Sequence, residues 1–62
     1  MKEQDVIEIL EQGIWMYNND EDNEEVIKDT RSFKQEMLLT NDKGLVILFK
    51  DGSKFAVTVK QM

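Results

Sequence analysis

Asp51-Gly52 sits between two runs of strand character, Leu45 to Phe49 and Lys54 to Lys60. This arrangement constrains the chain more than any other stretch of it. Asp-Gly provides the backbone freedom that a tight hairpin turn requires. The second run alternates, with Phe55, Val57 and Val59 on one side and Lys54, Ala56, Thr58 and Lys60 on the other, which is the period of a strand with two unlike faces. Two registers are open. A strict two-residue turn sets Leu48 opposite Phe55 and Val46 opposite Val57. A type I turn with a bulge at Gly52 sets Ile47 opposite Phe55 instead. A one-residue slip exchanges the two faces of a strand, so the register decides which part of Leu45 to Phe49 meets the core. In either case apolar residues remain on the second face. They need a cover, either the segment near residue 33 or a second copy of the protein.

What packs on the hairpin is written at the other end of the chain. On a helical projection Val6, Ile7, Ile9, Leu10, Ile14 and Tyr17 fall on one side, and Gln4, Asp5, Glu8, Glu11 and Gln12 on the other. Glu3 and Asp5 suit the positive end of the helix dipole. The helix begins near residue 3. It either stops at Gly13, as a left-handed C′ residue, or runs on to Tyr17 or Asn18 with Gly13 tolerated inside it at a cost of about 1 kcal/mol. The continued helix accounts for Ile14 and Tyr17, which extend the apolar arc, and Asn18 and Asn19 then form a natural end. It places Trp15 on the polar side with Glu8 and Glu11. The expectation is a helix packed through Val6, Ile7, Leu10 and Ile14 on the sheet, with Tyr17 closing the core and Trp15 at least partly exposed.

Between these ends the pattern is mixed. Asn18 to Glu25 is a solvated acidic connection. Asp20, Asp22 and Glu24 resemble the start of a calcium loop, but Glu25 stands where the loop needs Gly and Arg31 where it needs a bidentate Glu. Ser32-Phe33-Lys34-Gln35 matches a capping box and suggests a helical turn over residues 33 to 37. A short strand near residues 25 to 29 precedes it, and extended chain resumes at Leu38. Asn41 to Gly44 reads as a turn with Gly available for positive φ. The fold class is therefore α+β, one domain over residues 1–62, with an N-terminal helix on a small antiparallel sheet that ends in a hairpin.

A domain of 62 residues buries only about 60% of its unfolded surface and is marginally stable. Cys and His are both absent, which removes disulfides and the usual zinc ligand sets. It also removes the common nucleophile–base pairs. The three Gly are isolated at 13, 44 and 52, so no phosphate-binding loop is present. These points argue against an enzyme, and no cofactor is expected. No apolar run approaches the roughly 20 residues of a membrane span, and the acids of the first twelve residues do not suit a signal-peptide core. A soluble cytoplasmic protein is the expectation.

Charge is divided between the halves. Residues 1 to 31 carry ten acids and three bases, giving −7, and residues 32 to 62 carry three acids and five bases, giving +2. The acidic balance disfavours nucleic acid, whose binding rests on neutralising phosphates. What remains is interaction with proteins. Trp15, Met16 and Tyr17 are of the types favoured in interface cores. Asp20, Asp22 and Glu24 follow them as an acidic rim able to meet a basic surface. A homo-oligomeric structural module, as a homodimer formed through the second face of Leu45 to Phe49, is the alternative. A nucleic-acid-binding protein is the second alternative.

Residues 32 to 59, SFKQEMLLTNDKGLVILFKDGSKFAVTV, resemble a pattern of short uncharacterised proteins of phages, prophages and mobile elements. The matching positions run from Ser32-Phe33 through Leu39-Thr40 and Gly44-Leu45-Val46 to Asp51-Gly52-Ser53, Phe55 and Thr58-Val59. Glu36-Met37 stands where related sequences often carry Ala-Gly, and residues 1 to 31 have no counterpart. The resemblance implies a mobile-element accessory protein and no particular activity.

Overall fold

The computed structural model describes residues 1–36 and 41–62. Helix α1 spans Glu3–Asn19, and three strands follow: β1 (Ile27–Ser32), β2 (Lys43–Phe49) and β3 (Lys54–Val59). The strands form an antiparallel sheet in the order β1-β2-β3, and α1 packs on one side of it. The fold is α+β, as the sequence indicates. Among the described residues, no helix is long and apolar enough to cross a membrane.

The helix starts where the Asp5 carboxylate accepts a 2.9 Å hydrogen bond from the backbone N–H of Lys2, which satisfies a donor that the first turn leaves open. It passes through Gly13 without interruption and ends at Asn19, which settles the two endings in favour of the longer helix. Hydrogen bonds along the helix backbone and the packing of Ile14 beyond it outweigh the modest propensity cost of one Gly.

The hairpin takes the bulged register. Ile47 lies opposite Phe55 and Leu45 opposite Val57, which rules out the strict two-residue turn. Phe49 N–H donates to the Ser53 carbonyl at 2.9 Å, and Gly52 N–H donates to the Phe49 carbonyl at 3.1 Å. Gly52 adopts φ +94°, the conformation that favours Gly. The Asp51 carboxylate accepts from Ser53 N–H at 2.8 Å and from its hydroxyl at 2.5 Å, so Asp and Ser lock the turn together. These bonds hold the Asp51 carboxyl below the usual range.

Gly44 differs from expectation. It lies within β2, and Gly52 carries the positive φ. Its missing side chain matters for another reason: a Cβ there would collide with the Phe33 ring and the Val57 carbonyl. Phe33 is buried and rests on this bare stretch of strand. The capping box forms as read, with Ser32 N–H donating to Gln35 Oε1 at 2.8 Å and Gln35 N–H to Ser32 Oγ at 3.1 Å. It shapes a turn over residues 33–36 that carries Phe33 across the side of the sheet away from α1. Val46, the next residue on that side, is buried. The expected continuation to Met37 and the extended chain at Leu38 lie outside the described residues.

The two faces of β2 are thus both covered at their centre. Leu45 is buried on the α1 side with Ile7, and Val46 on the other. Of the two covers expected for the second face, the segment near residue 33 is present: the turn after β1 lays Phe33 on Gly44. The first strand also sits later than expected, at Ile27–Ser32 in place of 25 to 29. Ile27 is its buried anchor, and the register shifts between Ile27 and Asp29.

Candidate functional site

The end of α1 divides its bulky residues among three directions. Asn18 stands at the centre of the sheet-facing arc. It is buried, and its Oδ1 accepts 2.9 Å hydrogen bonds from the backbone N–H groups of both Val26 and Ile27. Its Nδ2 reaches the Ile27 carbonyl at 3.5 Å. Successive helical residues turn by 100°, so Asn18 shares its arc with Ile7 and Ile14. Glu11 and Trp15 fall on one flank, and Leu10 and Tyr17 on the other.

This rotation overturns the expected placement of Tyr17, whereas Trp15 keeps its flank and its partial exposure but gains a partner on β1. Trp15 is half-buried, and its Nε1 donates to Thr30 Oγ1 on β1 at 3.2 Å. Thr30 Oγ1 donates in turn to Glu11 at 3.2 Å. Trp15 tethers helix to sheet from the flank it shares with Glu8 and Glu11. Tyr17, expected to close the core, is 54% exposed, and Leu10 is also exposed. The reason lies at the start of β1: the buried N–H of Ile27 and the part-buried N–H of Val26 before it need an acceptor, and a polar residue on the central arc supplies it. An apolar count favours an arc centred between Ile7 and Leu10, whereas the hydrogen bonds of Asn18 draw it round toward Glu11.

Met16 points away from the sheet and is 74% exposed. With Gln12, Trp15, Asn19 and Asp20 it borders a shallow depression at the end of α1. The structure thus brings Trp15, Met16 and Asp20 together and turns Tyr17 to a different flank. Asp20 and Asp22 are joined by a local turn, in which Asp22 N–H donates to Asp20 Oδ1 at 2.9 Å. The side chain of Asn23 and the N–H of Asp20 both donate to the Tyr17 carbonyl, each at 3.3 Å. Asp22 and Glu24 are exposed. Among the described residues, Glu25 pairs with Lys50 at 3.1 Å, and no ion pair involves Glu21, Asp22 or Glu24.

A second cluster lies on the far side of the sheet. Glu36 bridges Lys54 and Arg31. Its side chain is 13% exposed. The Lys54 ammonium, with Arg31 adding to it, holds the Glu36 carboxyl below the ordinary Glu range against the opposing effect of burial. Hydrogen bonds to Asp29 and then Glu36 raise the Arg31 guanidinium. A carboxylate held ionised between two cations ties the turn at residues 33–36 to β1 and β3; it is poorly suited to exchanging protons at neutral pH. Among the described residues no group of three or more acids converges on a position for a metal ion.

Sequence reasoning missed Asn18, Thr30 and the exposure of β3. Asn18 carried a signal, since it follows Ile7 and Ile14 at helical spacing. Thr30 carried none, because the Trp15 partner is fixed only when α1 lies on β1. No protein-family model, curated protein or solved structure matches the chain.

Proposed function

We propose that this chain is a small acidic protein-binding module without catalytic activity, presenting the depression around Trp15 and Met16 within an acidic rim to a basic surface on another protein. One observation carries this reading. Asp20, Glu21, Asp22, Glu24 and Glu25 follow the end of α1, and its last turn contains no basic residue. The C-terminus of a helix is its negative end, and each nearby acid costs about 0.3–1 kcal/mol there. Asp20 at the C-cap breaks this rule with no base in the last turn to offset it, which in a domain with little stability to spare points to selection for something other than stability.

Met16 supplies the apolar contact. Exposed Met beside an aromatic side chain suits an adaptable interface. Asp20 beside it, with the exposed Asp22 and Glu24 that follow in the chain, raises the local concentration of a cationic partner, an effect that salt weakens. The resemblance of residues 32–59 to mobile-element proteins supports an accessory role. We place that role in the cytoplasm, since a chain without Cys gains nothing from an oxidising compartment.

Affinity capture from cell extract tests the reading. Met16→Ala removes the apolar contact, and Asp22→Asn with Glu24→Gln removes two rim charges; all three residues are exposed, so the fold is kept. The expected result is a discrete partner held at low salt, released at high salt and lost with either variant. Equal recovery by the parent and both variants refutes the proposal.

A further inference from the structure

β3 leaves both its outer edge and its α1-facing side open. Phe55 is 58% exposed, and Val57 is also exposed. They lie on the apolar side of the hairpin, but α1 is tied to β1 by Trp15 and Asn18 and meets β3 less than it meets β2 or β1. Phe55 is supported by an edge-to-face contact with Phe49, with ring centroids 5.5 Å apart. Leu10 and Tyr17 occupy the flank of α1 on this side and extend the apolar strip.

The amount of open surface is informative. The chain exposes 5062 Å², whereas a folded monomer of its 7.3 kDa typically exposes about 4,200 Å². The excess is close to the ~800 Å² that each partner buries in a standard interface. The molecule is a slab of 35 × 26 × 16 Å with a radius of gyration of 12.2 Å, against about 10.6 Å for a compact domain of this length.

We propose that a second copy of this chain pairs with β3, antiparallel and edge to edge, to form a six-stranded sheet with both helices on one side. The backbone is set for it. Phe49 N–H donates to the Ser53 carbonyl, and antiparallel pairs alternate. Phe55, Val57 and Val59 therefore turn their backbone groups toward β2, while Lys54, Ala56 and Thr58 turn theirs outward. β3 has no bulge and no Pro to blunt this edge. The opposite edge is less suitable, because β1 has an irregular register between Ile27 and Asp29 and carries the Arg31–Asp29 ion pair.

Charge selects the register. A two-fold axis at Ala56 sets Ala56 opposite its equivalent, Phe55 opposite Val57 of the second copy and Lys54 opposite Thr58. Lys60 then lies opposite Gly52 of the second copy, beside its Asp51. Moving the axis to Val57 places Lys54 directly against Lys60, a destabilising like-charge pair. Moving it to Phe55 runs Thr58 into the turn at Gly52 and shortens the pairing. The axis at Ala56 therefore combines full overlap with favourable charge and joins the two Phe55–Val57 strips.

The absence of Cys makes this testable with single substitutions. In the proposed register the two Ala56 Cα atoms are about 5.5 Å apart, within the range a disulfide spans. The two Thr58 Cα atoms are roughly 14 Å apart. Sedimentation equilibrium over a wide concentration range is expected to show the 7.3 kDa mass doubling. Mild oxidation is expected to cross-link Ala56→Cys and leave Thr58→Cys without a covalent cross-link. Ala56→Pro, which removes an outward N–H without breaking the ladder to β2, is expected to abolish the dimer. A single 7.3 kDa species at the highest soluble concentration, or cross-linking of Thr58→Cys as fast as Ala56→Cys, overturns the proposal.

Discussion

Trp15 Nε1 donates a 3.2 Å hydrogen bond to Thr30 Oγ1, which donates at the same distance to Glu11. One hydroxyl thus joins two residues of α1 to β1. Removing it with Thr30→Val keeps the shape and the strand propensity and leaves the indole N–H without its partner. The expected loss is about 1–2 kcal/mol, read as a lower urea midpoint with an unchanged slope. Trp15 emission in the folded state should shift with it, since the indole lies at the site of the change.

Asn18 holds the start of β1. Asn18→Ala leaves the N–H groups of Val26 and Ile27 without their acceptor, at about 1–3 kcal/mol for each group that stays buried. Asn19→Ala, one residue on and exposed, should change stability by no more than about 0.5 kcal/mol. Equal effects in thermal melts would contradict the role assigned to Asn18.

The glycines should respond in opposite directions. A Cβ at Gly13 meets nothing within 4 Å, so Gly13→Ala should stabilise the domain by about 1 kcal/mol through helix propensity. Gly44→Ala drives a methyl into the Phe33 ring and the Val57 carbonyl, and overpacking of this kind costs about 1–3 kcal/mol or more. Denaturant titration of both variants checks the sign as well as the size.

Acid should weaken the fold partly through Glu36. Its folded pKa lies below the ordinary 4.5, so its contribution is present in full above that value. It is lost as the pH falls through the depressed folded value. Glu36→Gln should therefore lower stability at neutral pH and flatten the decline on the acid side. Urea midpoints measured from neutral to strongly acid pH give this comparison directly.

Core and edge residues of the hairpin should separate clearly. Leu45→Ala empties a fully buried position and should cost about 2–5 kcal/mol. Phe55→Ala loses chiefly its contact with Phe49, about 0.5–1.5 kcal/mol. Measured in dilute solution, the two values should differ severalfold.

The local elements were legible in the residues themselves. Asp51-Gly52 specifies a turn because its neighbours alternate. Ser32 and Gln35 specify a capping box because their reach is three residues. Val6, Ile7, Leu10 and Ile14 specify a helix because their spacing leaves them on one side. Each signal acts within a few positions of itself, where backbone geometry permits few alternatives.

The sequence alone therefore determined a helix, a hairpin, the capped turn and the acidic tract between residues 18 and 25. Tertiary structure decided how α1 is rotated, which hairpin register is taken and which aromatic residues remain open. Rotation follows from Asn18 meeting the N–H groups of Val26 and Ile27, partners eight and nine residues away. Phe33 covers Gly44 only after the chain has turned back along β1. Phe55 stays exposed because α1 is tied to β1, at the opposite edge of the sheet. An apolar side chain records that it can be buried, but the few directional bonds between distant polar groups choose which apolar side chains the core receives.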